Sequence, residues 1–274
     1  FKEPFSLEEL TSARFITFME RGLPSAFVPG RNIGVGLNTY GSVLNGGWSA
    51  AGGWFTDGVD NSNDGGNNES NAFAGRLTFA PIATKTEVIH VGGAVEYRNY
   101  DNSTIRFRRR PEAHTAEHRM VDTGSFLAED TLKWGLEAAG VYGPFSVQGE
   151  YIQTNVNNVN RSGTDADLYG WYAYGSWFIT GESRKYSAKR GVFGRIKPNG
   201  IVGKGGWGAW ELAGRYSSID LTDGPLDGFK ENDITIGLNW YATPTIRFMA
   251  NYIIADSNNP KFNDPDIFQL RGQI

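Results

Sequence analysis

The sequence predicts an all-β chain, an antiparallel up-and-down transmembrane β-barrel, and three observations carry that expectation. From Asn32 onward, apolar and polar residues alternate with a period of two, in runs of roughly ten residues, the length of a membrane-spanning strand. Charged residues within these runs fall mostly opposite the large apolar ones. Short turns and long polar loops succeed each other for most of the chain, as in a barrel with turns at one end and loops at the other. In a soluble sandwich the apolar face would be a core, and alternation alone does not separate the two. Run length and aromatic residues near strand ends favour a membrane wall.

Composition agrees. The 274 residues include 36 Gly, 17 Phe, 12 Tyr and 8 Trp, yet mean hydropathy is −0.40. Many aromatics in a polar chain suit an apolar outer band around a polar lumen. No apolar run reaches the ~18 residues of a spanning helix. There is no cysteine, which excludes a disulfide scaffold and thiolate metal sites. A net charge of −4 does not suggest a nucleic-acid partner. Phe1 is not a native start, so the chain is expected to be processed, trimmed or a fragment.

Residues 1–31 differ from the rest. Ser6 and Glu9 form a capping box, predicting a short helix to about Arg14. Phe15, Phe18 and Met19 follow at helical spacing, and Pro24, Pro29 and Gly30 mark irregular chain. Strands are then expected around Ile33–Leu37, Trp48–Phe55, Phe73–Phe79 and Thr86–Tyr97, with a polar loop at Thr56–Asn71. A long connection runs to about Asp130. Further strands are expected around Leu132–Leu136, Phe145–Tyr151, Leu168–Ile179, Trp210–Tyr216, Ile234–Trp240, Ile246–Tyr252 and Phe268–Ile274. Asp220–Asn232 reads as a loop. Thr180–Gly206 is a long basic connection where the alternation calls for a short turn.

Within the Thr104–His114 stretch, Arg106, Arg108 and Arg110 alternate with Ile105 and Phe107. Extended backbone puts the three arginines on one face, about 7 Å apart. Arg109 falls on the apolar side, and Pro111 ends the run. Three guanidiniums on one face repel unless they meet water or anions. This is either an exposed basic edge that blocks aggregation or a row of anion sites.

Several phrases, taken together and in order, resemble the phosphate-selective porin O/P family of Gram-negative outer membranes. They are FKEPFSLEELTSARFITFMER with PGRNIGVG, IRFRRRPEAH with VDTG, GLEAAGVYGPFSVQGEY, TGESRKY, FGRIKP, GGWGAWELAGRYS and ITIGLNWYATPTIRFMANYI. The resemblance implies a sixteen-stranded trimeric barrel, of which about eleven strands are present and the N-terminal ones are missing. It divides the single porin domain 1–274 into a constricting loop (1–31), strands (32–99), an inward-folded basic loop (100–130) and strands (131–274). It implies passive, anion-selective diffusion, with phosphate, other small oxyanions or chloride as solutes. Lipid and lipopolysaccharide would surround a homotrimer, with no cofactor, no enzymatic activity and no nucleic acid. It places pore-lining anion sites at Arg106, Arg108 and Arg110, with His114 where the phosphate channels carry another arginine. Arg21 and Arg14 are the basic positions of the constricting loop. Two departures weaken phosphate specificity in particular: Glu9, beside Glu8, stands where those channels have a lysine, and Lys2 where they have a tyrosine.

Other signals are weak. Asp60, Ser62, Asp64 and Gly65 partly mimic a calcium loop, but its twelfth position is Asn71 rather than Glu. His90, His114 and His118 fit no metal pattern. Asn68–Ser70 and Asn102–Thr104 are formal glycosylation sequons. The bases between Arg184 and Lys204 are a solvated turn or an exit funnel for anions. A differently selective porin, a barrel enzyme and a soluble binding module remain as alternatives. The enzyme would need a nucleophile and base on one face, and none is recognisable.

Overall fold

The computed structural model describes residues 1–56, 70–100 and 103–274. The calcium-loop mimic and the asparagines of both sequons lie outside the described residues. The rest is dominated by one antiparallel sheet of eleven long strands, each paired with its neighbours in sequence. They are β1 (Ile33–Val43), β2 (Gly46–Thr56), β3 (Ser70–Ala83), β4 (Glu87–Tyr100), β5 (Asp130–Tyr142), β6 (Phe145–Asn157), β7 (Ala166–Phe178), β8 (Ala209–Asp223), β9 (Leu226–Tyr241), β10 (Arg247–Ser257) and β11 (Asp266–Gln273). β1 and β11 are the two edges and do not pair with each other.

The sheet's faces decide between barrel wall and sandwich. Phe73 is 63% and Leu136 59% exposed, while Glu96 is 0% and Glu137 5% exposed on the opposite face. A sandwich would bury the apolar set. Here the apolar face is the open one, and the charged face is covered by the chain's own connections. That inversion is the arrangement of a transmembrane barrel. Aromatic ring pairs, some stacked and some tilted, run along the apolar face. Phe145–Trp177 (6.0 Å) and Trp210–Trp240–Phe248 (5.5 Å each) lie at the short-turn end. Trp134–Tyr151 (5.4 Å) and Trp171–Tyr216 (5.2 Å) lie toward the other side. Such aromatics suit the two membrane interfaces.

Three local expectations are corrected. The helix spans only Leu7–Leu10: Ser6 caps it, its Oγ accepting from the Glu9 amide at 3.1 Å. Glu9 does not reach back to complete the box, because its carboxylate is held by Lys2 and Arg21. Residues 15–19 are not helical; their spacing reflects Phe18 and Met19 packing onto the wall. Asp220–Asn232 is not a loop. β8 continues to Asp223, past a bulge between Asp220 and Thr222, and β9 begins at Leu226. Gly224, with φ +52, lets the chain reverse there before Pro225. Dense polar residues hid these strand ends, and the inward Leu221 and Leu226 are buried against the connection above them.

Candidate functional site

Three connections fold onto the charged face: residues 1–32, 103–129 between β4 and β5, and 179–208 between β7 and β8, whose Tyr186 and Arg184 reach His90 of β4 and Gln148 of β6. The first two are the inward segments expected as constrictions. In the first, wall side chains satisfy backbone groups that burial would otherwise orphan. Glu150 of β6 accepts the Leu7 and Glu8 amides at 3.0 and 2.7 Å, capping the helix start with a carboxylate. Asn239 donates to the Thr17 carbonyl (2.8 Å), Arg247 to that of Ile16 (2.7 Å) and Arg271 to that of Met19 (2.6 Å).

Two cations of this segment, Lys2 and Arg21, are neutralised, whereas Arg14 and Arg31 are exposed. Lys2 pairs with Glu9 at 2.6 Å and Arg21 with Glu9 at 2.9 Å. Arg21 also donates to the carbonyls of Glu8, Glu9 and Thr11. Burial pushes the Lys2 ammonium below the usual lysine range, against the pull of Glu9. Glu8 is buried, accepts the Gly22 amide (3.0 Å) and faces Arg215 of β8 at 3.3 Å. Burial raises its carboxyl despite Arg215.

The second segment is anchored by apolar residues. Ile105, Phe107, Val121 and Phe126 join Phe27 and Leu23 of the first segment and inward Ile152, Leu168 and Ile219 of the wall in one cluster. This core lies between loops and wall, on the sheet's inner face. Short ladders pair Thr104–Ile105 with Phe126–Leu127 and Arg108–Arg109 with Val121–Asp122.

With Ile105 and Phe107 turned into the core, Arg106, Arg108 and Arg110 take the other side, half-buried. Arg106 is engaged by both oxygens of Asp122, its Nε donating at 2.6 Å. Asp122 is held below the usual carboxylate range: burial raises it, but the hydrogen bonds from Arg106 and the Gly124 amide outweigh that. Arg119 neighbours the same group. Burial lowers its guanidinium, and repulsion from Arg108 and Arg110 lowers it further. Among the described residues, Arg108, Arg110 and Arg119 have no carboxylate partner, and the buried Arg110 Nε meets no acceptor. Arg109 points the other way and donates to the Arg21 carbonyl at 3.1 Å, joining the two segments.

The remaining expected positions lie apart. His114 is exposed. Arg14 is also exposed and lines a small cavity with Phe15, Arg195 and Tyr241 near the turn joining β9 to β10. Four residues escaped the sequence reading. Asp122 carried a usable signal, an Asp-x-Gly turn with Gly124 at φ +67. Arg119, Glu112 and Arg215 carried none, since only the folded segments bring them to their partners.

Such a charged face, lined by chain-internal loops behind an apolar outer wall, is pore architecture, and sequence comparison assigns it. The chain belongs to the phosphate-selective porin O and P family. That family's profile matches residues 1–273. An uncharacterized protein of Caulobacter vibrioides is 33% identical over 264 residues, covering 92% of this chain and 52% of its own length. Porin O of Pseudomonas aeruginosa is 28% identical over 307 aligned positions, covering all of this chain and 68% of its own length. The chain therefore spans about half of the first relative and about two thirds of the second. Membership makes this porin a bacterial outer-membrane protein.

Proposed function

We propose that the protein is a passive, anion-selective outer-membrane channel for small oxyanions such as phosphate, or for chloride, with segments 1–31 and 100–130 as its constrictions. The observation that carries this is the group Arg108, Arg110 and Arg119, three neighbouring guanidiniums without a carboxylate partner among the described residues. Guanidinium stays charged at any working pH and grips oxyanions through two donors at once. Several moderate sites in series let an ion enter and leave, as conduction requires. Family membership supports a channel over an enzyme. The unpaired edges of β1 and β11 and the greater length of the relatives support closure by further strands in the whole protein. The family resemblance supports a homotrimer surrounded by lipid and lipopolysaccharide.

Glu9 favours a second reading of the solute. It occupies both Lys2 and Arg21, so neither cation is available to a dianion there. This fits a general small-anion pore better than tight phosphate specificity. Reversal potentials of the full-length protein in planar bilayers, under chloride and then phosphate gradients, test both readings. The anion channel requires a potential of anionic sign in chloride. Block of chloride current by added phosphate, at concentrations where sulfate has little effect, would favour phosphate specificity. A potential near zero would overturn the anion channel altogether.

A further inference from the structure

Glu112 has no place in an anion site by charge, yet it is among the most tightly held side chains of the inward segments. It follows Arg110 and Pro111, is 1% exposed, and adopts φ +30, a conformation side chains other than glycine rarely take. Its Oε2 accepts from Arg215 Nε at 3.0 Å, from Arg215 Nη2 and from the Thr235 hydroxyl at 2.5 Å. Its Oε1 accepts from the Ser217 hydroxyl at 2.5 Å. All these donors stand on β8 and β9, so the loop carboxylate is bolted to two adjacent wall strands. Arg215 extends the arrangement to the other constriction: its Nη1 donates to the Glu20 carbonyl at 3.0 Å and meets Glu8 at 3.3 Å, and its guanidinium lies 4.3 Å from the centre of the Phe18 ring. One arginine of the wall thus holds both inward segments.

A strained backbone at a buried, multiply hydrogen-bonded residue persists only where the surroundings fix it. The strain lies two residues from Arg110, with the φ of Pro111 fixed between them. From these contacts we infer that Glu112 is the positioning residue of the channel: locked to Arg215, it sets the orientation of Arg108 and Arg110 toward Arg119 and keeps the two constrictions in register. It touches no permeating ion and acts through the arginines it places. The inference rests on the anion-channel reading above. A loosely held arginine row still presents positive charge, but it no longer presents converging donors, so selectivity falls and the open channel fluctuates.

The test uses the full-length protein in planar bilayers, with reversal potential and open-channel noise as readouts. Glu112→Ala is expected to lower the anion-to-cation permeability ratio several-fold and to raise the noise. Glu112→Gln, which keeps an acceptor for Arg215, should fall between it and the wild type. Ser217→Ala with Thr235→Val removes the wall hydroxyls while leaving the loop sequence intact, and should shift selectivity in the same direction. Should Glu112→Ala fail to fold, this double variant decides alone. A merely structural role would lower yield and thermal stability but leave folded channels with wild-type selectivity and noise, and that result overturns the inference while sparing the channel. A wild type without anion preference would remove both.

Discussion

Segments 1–32 and 103–129 hold similar numbers of cations and treat their half-buried ones differently. In segment 1–32, Lys2 and Arg21 share Glu9, and wall side chains meet the backbone carbonyls. In segment 103–129, Arg106 is matched by Asp122, but Arg108, Arg110 and Arg119 have no ion-pair partner among the described residues. The difference teaches that basic residues near a constriction are not equivalent by type. A paired guanidinium is part of the scaffold, since removing one partner leaves a charge uncompensated. One without an ion-pair partner carries a field that solvent or a passing anion can satisfy. The second segment can leave its arginines free because its stability comes from Ile105, Phe107, Val121 and Phe126 in the inner apolar cluster.

The comparison breaks most sharply if the free arginines are removed. Replacing Arg108, Arg110 and Arg119 together by Ala should nearly abolish anion preference. Exposed charge interactions contribute about 1 kcal/mol each, so the three together should change the permeability ratio by up to roughly two orders of magnitude if they add. Reversal potential under a salt gradient reads this directly. Retention of more than half the wild-type preference would show that charge elsewhere in the lumen dominates.

Next in size is the Arg106–Asp122 pair. Asp122→Asn should free a fourth guanidinium and increase anion preference a few-fold, at some cost in loop order. Titration offers the same test without mutation. A carboxyl whose folded pKa is depressed contributes stability that is present above its unfolded value and is lost as pH falls through the folded one. Asp122 is of this kind. The pair should therefore hold through mildly acidic solution and open only below about pH 4, the ordinary carboxylate range. A change in selectivity already near pH 6 would point to another group.

In the first segment, Glu9→Lys or Glu9→Gln should release Lys2 and Arg21 toward the lumen and strengthen phosphate block of chloride current. Local repacking limits the effect, because Arg21 keeps its three carbonyl acceptors. Unchanged block in both variants would mean that the Lys2–Glu9–Arg21 group stands away from the ion path.

The strands were legible because period-two alternation survives whichever face is buried, as in Ile234, Ile236, Leu238 and Trp240 against Thr235, Gly237 and Asn239. The alternation could not tell which face was outside; that took the exposure of Phe73 and Leu136 against burial of Glu96 and Glu137. The ends of β8 and β9 were lost because the lumen-facing and outward-facing residues there are mostly polar, apart from Leu221, Leu226 and Phe229. At the site, the shared face of Arg106, Arg108 and Arg110 followed from backbone geometry. Their compensation did not: Asp122 lies 16 residues from Arg106, and Arg215 lies 103 from Glu112. Contacts across such separations are set by how the segments fold, which local pattern does not encode.

The smallest expected effect sharpens the comparison at single-residue level. Arg108 and Arg109 are adjacent, equal in charge and on opposite sides of the same short ladder. Arg108 faces the unpaired group, while Arg109 donates to the Arg21 carbonyl, and burial lowers its guanidinium against the pull of Glu20 and Glu112. Arg109 thus ties one segment to the other and contributes little field to the path. Arg109→Ala should loosen the contact between segments, seen as greater protease access to residues 103–129, while leaving the reversal potential almost unchanged. Arg108→Ala should do the reverse, reducing anion preference by up to about five-fold, the equivalent of roughly 1 kcal/mol. Equal shifts in reversal potential for the two variants would mean that the pore reads total charge rather than the face on which each arginine stands.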